Sequence, residues 1–231
     1  MKNYVIIGGS SGIGEAIVNT LENDTENNII ASYNTTELES RERVNYISLD
    51  VTKDELDIDS LPEVIDGLVY CPGSIKLKPF HRFKEEDFMS DFQLQVLGAT
   101  KIIKQLLPNL KKSDGSSIVL FSTVAVQKGF TFHSQVAISK GAIEGLTKAL
   151  AAEFAPKIRV NAIAPALTKT KLSEKLLNTP EKEKYHADKN PSRRIGEPKD
   201  LAEAACFLLS DKSSWMTGQI MHINGGFGHL G

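Results

Sequence analysis

Seven residues near the start, Gly8-Gly9-Ser10-Ser11-Gly12-Ile13-Gly14, constrain this chain more than any other stretch. They follow the apolar run Tyr4 to Ile7 and precede an apolar-periodic stretch from Ile13 to Leu21, the pattern of strand, tight turn and helix. Gly8 suits the sharp turn out of the strand, Gly12 the close approach of backbone to a pyrophosphate, and Gly14 the close packing of helix on sheet. The helix that opens there offers unpaired N–H groups and the positive end of its dipole. This context predicts a dinucleotide site built on Gly8, Ser10, Ser11, Gly12, Ile13 and Gly14. The plainer alternative is an ordinary glycine-rich turn, and the strand-to-helix setting argues against it.

The rest of the chain continues the alternation. Strands are expected at Asn28 to Ser32, Val44 to Leu49, Ile65 to Tyr70, Ser117 to Phe121, Ile158 to Ile163 and Gln219 to Ile223. Long helices are expected from Glu85 to Leu107, where Phe88, Phe92, Val96, Ala99, Ile103 and Leu106 recur every three or four residues, and from Ser134 to Phe154. A shorter one runs from Pro198 to Leu209. Between them, residues 168–195 are polar, carry Pro180 and Pro191, and read as an exposed, mobile excursion. Strands alternating with helices imply an α/β fold, a Rossmann-type, doubly wound parallel sheet in a single domain over residues 1–231.

Composition removes several function classes. The net charge of −2 and the scattered Lys and Arg speak against nucleic acid and anionic membrane as partners. Cys71 and Cys206 are far apart and fit no metal spacing, and the five histidines form no ligand pair, so no metal site is expected. Two unclustered cysteines fit a reducing compartment. No apolar run reaches the roughly 18 residues of a membrane span, and the first residues are too short a run for a secretion signal. The expectation is a cytoplasmic, soluble protein.

The glycine spacing, G-x-x-x-G-x-G, resembles the short-chain dehydrogenase/reductase family, and further motifs follow in order. These are Asp50-Val51-Thr52, Ser139-Lys140-Gly141-Ala142, Arg159-Val160-Asn161-Ala162-Ile163-Ala164-Pro165-Ala166, Arg194-Ile195-Gly196-Glu197-Pro198, and Thr217-Gly218-Gln219 with Asn224-Gly225-Gly226. The resemblance implies that Asp50 and Val51 hold adenine. It also implies that Cys71 and Gly73 lie beside the cofactor and that Pro165, Leu167 and Thr168 lie near the nicotinamide. It implies a lid at about 168–195 and a homodimer or homotetramer. Departures are Ala166 where glycine is usual, Asn224 where aspartate is usual, and Tyr70-Cys71-Pro72-Gly73 in place of Asn-Asn-Ala-Gly.

Dinucleotide enzymes tell NAD from NADP at the end of the second strand, where an acidic residue binds the ribose 2′-hydroxyl and repels a 2′-phosphate. Here Ser32-Tyr33-Asn34-Thr35-Thr36 precede the first acid, Glu37. Ser32 and Asn34 can donate to a phosphate, which leans toward NADP over NAD, although no Arg or Lys sits beside them and Ser11 is not basic.

The chemical half of the site departs most from the family pattern, which uses an Asn, a Ser, a Tyr and a Lys. Lys140 matches the Lys, to hold the nicotinamide ribose. Thr123, beside Ser122, stands at the Ser position and Gln95 at the Asn position. The Tyr position, four residues before Lys140, holds Val136, and no tyrosine lies between Tyr70 and Tyr185. Valine cannot donate a proton. One reading is an NAD(P)-dependent oxidoreductase acting on a small carbonyl or alcohol substrate with a different donor. His133, three residues before Val136, is the first candidate because imidazole changes charge near neutrality. Thr123, a water, Tyr185 or His186 are alternatives. A second reading is a non-catalytic dinucleotide-binding sensor or partner subunit, and a third is lyase or isomerase chemistry with a bound cofactor. Phe130 and Phe132 are candidates for an apolar pocket wall or for plain core.

Overall fold

A computed structural model of the chain describes residues 1–228 and 230. Seven strands form one sheet: β1 (Lys2–Ile7), β2 (Asn27–Tyr33), β3 (Val44–Ser48), β4 (Gly67–Tyr70), β5 (Ser116–Phe121), β6 (Ile158–Pro165) and β7 (Ile220–Ile223). Their order is β3-β2-β1-β4-β5-β6-β7, and every neighbouring pair is parallel. Parallel strands covered on both faces read as continuous apolar runs. The buried runs Val5-Ile6-Ile7 and Ile118-Val119-Leu120 in the centre of the sheet show this.

The helices are α1 (Gly12–Glu22), α2 (Glu85–Phe92), α3 (Gly98–Lys111), α4 (Ala125–Lys128), α5 (Ser134–Phe154), α6 (Glu174–Leu177), α7 (Pro180–Lys189) and α8 (Pro198–Leu209). On one face of the sheet Ile17 and Val18 of α1 pack with Leu201 and Leu208 of α8. On the other, Ile102 and Leu106 of α3 pack with Ile143 and Phe154 of α5. The chain winds outward from β1 in one direction and from β4 in the other, which opens a crevice at the carboxyl ends of those two strands.

The expected strands are all present, with ends shifted by one or two residues. The single helix expected from Glu85 to Leu107 is instead two α-helices joined by a π-helical turn at Gln93–Leu97. Tyr70 meets this turn from β4, its hydroxyl donating to the Leu94 carbonyl at 2.6 Å. The stretch expected as an excursion is largely helical, with α7 started by Thr179, whose hydroxyl accepts from Lys182 N, and by Pro180 in the first turn. The short helix α4 has no counterpart in the sequence reading.

β6 and β7 are stitched by side chains. Asn161 Nδ2 donates to Met216 O at 2.9 Å, its Oδ1 accepts from Gln219 N at 3.0 Å, and Thr217 Oγ1 accepts from Val160 N at 3.1 Å. Arg159, partly buried, donates to the carbonyls of Leu208, Ser210 and Ser213 and ties the end of α8 to the sheet.

Candidate functional site

The loop between β1 and α1 is shaped by its glycines. Gly8 and Gly12 have φ of +78° and +57°, a region open to glycine at little cost. A Cβ on Gly14 would stand 2.1 Å from Gly8 O, so only glycine lets the first turn of α1 fold back against the strand end. Gly9 is equally pressed, with its Cβ position 2.8 Å from Ala31 Cβ. Ser32, buried at the end of β2, fixes the loop: its Oγ accepts from Gly8 N and its carbonyl accepts from Gly9 N, both at 2.9 Å. Ser10, Ser11 and Ile13 remain at least partly open, and the first N–H groups of α1 point out of the helix without carbonyl partners. This cradle fits a pyrophosphate.

The other residues expected at the cofactor's adenine end sit just past strands, at the carboxyl edge of the sheet. Asn34 follows β2 and is exposed, with Thr35 and Thr36 beside it. Asp50 follows β3. Its Oδ1 accepts from Thr52 N at 3.0 Å and Thr52 Oγ1 at 2.6 Å, and Lys53 lies 3.1 Å from Oδ2. Those hydrogen bonds hold its carboxyl down to about 2. Val51 is buried. Arg41, the nearest guanidinium in sequence to Asn34, is paired with Glu22 at the far end of α1, at 2.8 Å.

A pocket of about 300 Å³ opens from the glycine loop across the ends of β4, β5 and β6. It brings together Ile13, Cys71 and Gly73 with Gln95, Thr123, His133 and Lys140. Pro165, Leu167 and Thr168 form its floor near β6, and Leu172, Leu176 and His186 reach it from the segment that contains α6 and α7. Phe130 and Phe227 stack at 5.8 Å between centroids and form an apolar wall. Phe132, expected as pocket wall or core, is neither: it turns to solvent and has φ +69°. Gly8, Ser32, Asn34, Asp50 and Val51 lie outside this pocket, toward the β2 and β3 ends, so the two regions suit the two ends of an extended ligand.

Val136 is 4% exposed and lines the pocket one helical turn from Lys140. Thr123 Oγ1 accepts from Ala125 N at 3.2 Å, which leaves its hydroxyl proton free for a ligand. Ser122, its neighbour, donates instead to Glu144 at 2.6 Å. His133 sits at the start of α5 with Nδ1 2.8 Å from the Thr131 carbonyl, so Nδ1 carries the proton and Nε2 is the free ring nitrogen. Burial pulls Lys140 down to about 8, opposed by the negative charge of Asp91. Burial pushes the Cys71 thiol up to about 12. Among the described residues no helix is long and apolar enough to cross a membrane, and no group of acidic, His or Cys side chains is placed to hold a metal.

Sequence reasoning missed Asp91. It is 3% exposed and accepts hydrogen bonds from Ser74 Oγ, Gln95 Nε2 at 2.8 Å and Ser139 Oγ at 2.6 Å. An acid in an amphipathic helix reads as surface, and only the fold shows that it faces α5.

Comparison with known proteins agrees with this architecture. A family model described as enoyl-(acyl carrier protein) reductase matches residues 8–228. The chain is 31% identical to the 3-oxoacyl-[acyl-carrier-protein] reductase FabG of Thermotoga maritima over 97% of both chains. The structure of a short chain dehydrogenase family protein from Francisella tularensis superposes with a TM-score of 0.89 at 31% identity, covering 98% of each chain. That of ElxO with NADP bound does so with a TM-score of 0.85 at 27% identity, covering 98% of each. Glycine cradle, seven-stranded parallel sheet and end-to-end similarity agree, and the chain belongs to the short-chain dehydrogenase/reductase family, whose members among these relatives are oxidoreductases.

Proposed function

We propose that the protein is an NAD(P)-dependent oxidoreductase that interconverts a small carbonyl compound and its alcohol, and that the proton reaches the substrate oxygen from a group other than tyrosine. The observation that carries the reading is convergence: Ile13 of the glycine loop, Thr123 and Lys140 line one pocket at the carboxyl ends of the central strands. A bound nicotinamide supplies or accepts the hydride. Gly8 to Gly14 hold the pyrophosphate, and Asp50 and Val51 the adenine end. Lys140 holds the ribose beside Gly73. Thr123 donates a hydrogen bond to the substrate oxygen and orients the carbonyl. His133, with its Nε2 free, is the proton donor when the ring is charged. The lack of an acid at the end of β2, with Asn34, Thr35 and Thr36 there instead, supports NADP over NAD, as does the NADP bound in the related ElxO. Apolar side chains exposed on the α2 to α5 side of the molecule, Met89, Leu97 and Ile138, suit a homo-oligomer.

One specific observation favours a second reading, a dinucleotide binder without turnover: the apolar Val136 faces the pocket where an ionisable group has chemical use. Titration with NADPH and NADH, followed by turnover on a panel of ketones and alcohols, separates the two. Saturable binding with turnover that falls about 10²-fold or more in His133→Ala supports the oxidoreductase with His133 as donor. Binding without any turnover, and activity appearing only in Val136→Tyr, establishes the non-catalytic reading. Unchanged kinetics in His133→Ala removes His133 from the role.

A further inference from the structure

The pocket contains a buried oxygen with no partner. Gln95 sits in the π-helical turn, 1% exposed, with its Nε2 spent on Asp91 and its Oε1 left without a hydrogen bond. A buried acceptor in that condition is costly unless a donor meets it, which marks it as the place where a ligand hydroxyl or water binds. Gly73 shows where it points. A Cβ added there would lie 3.2 Å from Gln95 Oε1 and 3.6 Å from Lys140 Nζ. The amide oxygen and the lysine nitrogen therefore face one small space, kept open because residue 73 has no side chain.

Asp91 controls both groups. Because its carboxylate accepts from Gln95 Nε2, the amide cannot flip, and Oε1 is held toward Lys140. Ser74 and Ser139 donate to the same carboxylate from two other elements, the loop after β4 and α5, and hold it in place. The same carboxylate is the main negative charge that favours the Lys140 ammonium, without a direct ion pair to it. The other titratable groups around that lysine do not supply one. Cys71 stays a neutral thiol until about pH 12. His133 and His186, also on the pocket wall, can only be neutral or positive. Glu144, one turn further along α5, is taken by Ser122 and Gln127.

We propose that Asp91 is a positioning residue of this site: it aims Gln95 Oε1 at Lys140 and keeps Lys140 charged, so that the pair grips a hydroxyl or water at Gly73. The inference rests on the oxidoreductase reading for its consequence in turnover; the aim of Gln95 rests on the hydrogen bonds to Asp91, and the charge of Lys140 on the field of that buried carboxylate.

The experiment reads the two separately. Cofactor-free protein is pulsed with limiting acetic anhydride from pH 6 to 11, and acetylation of Lys140 is followed by peptide mass spectrometry, with the exposed Lys148 as internal reference. The wild-type midpoint is expected near pH 8, the value that burial and Asp91 together set. In Asp91→Asn it falls by about one pH unit or more, because an opposite charge that favours the ammonium is gone. Asp91→Glu keeps the wild-type midpoint. The alkaline limb of kcat moves down by the same interval in Asp91→Asn, while KM for the cofactor changes less. An unmoved Lys140 midpoint in folded Asp91→Asn overturns the proposal. Should that variant not fold, Gln95→Leu keeps the Asp91 charge and removes the aimed oxygen. It is expected to lower kcat at least tenfold with the Lys140 midpoint in place, and unchanged kcat overturns the proposal. A shifted midpoint in a protein whose wild type turns nothing over would refute the oxidoreductase reading and leave the placement of Asp91 standing.

Discussion

Ser122 and Thr123 carry the same functional group in adjacent positions, and the fold assigns them opposite tasks. Ser122 spends its proton on Glu144, while Thr123 accepts from a backbone N–H and keeps its proton. Thr123→Val, which keeps the shape and removes the hydroxyl, is expected to lower kcat by about 10²–10³-fold, the usual effect of losing one donor to a developing oxyanion. Ser122→Ala leaves Glu144 one donor short and is expected to cost about 1–3 kcal/mol in chemical denaturation, with kcat of the folded enzyme near wild type. Equal kinetic losses in both variants would show that neither hydroxyl meets the substrate alone. Thr123 was legible because it lies thirteen residues before Val136, at a spacing the family resemblance marks. The commitment of Ser122 was not, because its partner is 22 residues away on α5. Asp91 was illegible for the same reason, since charge in a sequence carries no sign of which side chains will surround it.

At the scale of elements, the hydrophobic period located the α2–α3 run but not the π-helical turn inside it. The apolar positions Phe92, Val96, Ala99 and Ile103 continue through the turn with spacings of three and four, so a local change of winding leaves little mark on the pattern. A tertiary contact braces the turn: Tyr70 on β4 reaches the Leu94 carbonyl, and Gly98 gives it room. A Cβ at Gly98 would fall 2.3 Å from Tyr70 Oη. Gly98→Ala therefore forces either the tyrosine or the turn to move and is expected to destabilise the protein by about 1–3 kcal/mol, despite the better helix propensity of alanine. It should also lower kcat, because Gln95 rides on that turn. Adding Tyr70→Phe removes the clashing oxygen and is expected to recover part of the stability. A double-mutant cycle by urea denaturation reads the coupling, and additive effects would mean that Tyr70 does not shape the turn. The glycine loop was legible by contrast because its constraints are local: turn, helix start and strand end lie within seven residues.

Across the whole molecule, the strand ends add successive parts of the site, and Phe227, beyond β7, closes its wall. The alternation of strands and helices was enough to foresee the parallel sheet, since crossover connections leave few other arrangements. It gave no hint that the tail beyond β7 returns to the pocket. Asn224 Nδ2 donates to Phe227 O at 2.9 Å and holds that turn, Phe227 stacks on Phe130 with planes 7° apart, and Lys128 Nζ lies 4.5 Å from the Phe227 ring centre. Phe130 in turn meets His133 at 5.4 Å. Phe227 thus supports the apolar wall of the pocket while standing apart from the glycine cradle. Phe227→Ala removes a ring worth about 0.5–1.5 kcal/mol in stacking beyond its buried area. It is expected to lower kcat/KM for apolar ketones by roughly tenfold, with most of the loss in KM if the ring contributes uniform binding. Affinity for NADPH, read by its fluorescence in the absence of substrate, should stay within about twofold, because binding at the cradle does not use this wall. Phe227→Leu keeps apolar bulk and should fall between the two. Loss of cofactor affinity in step with substrate affinity would mean instead that the tail holds the whole carboxyl edge of the sheet together.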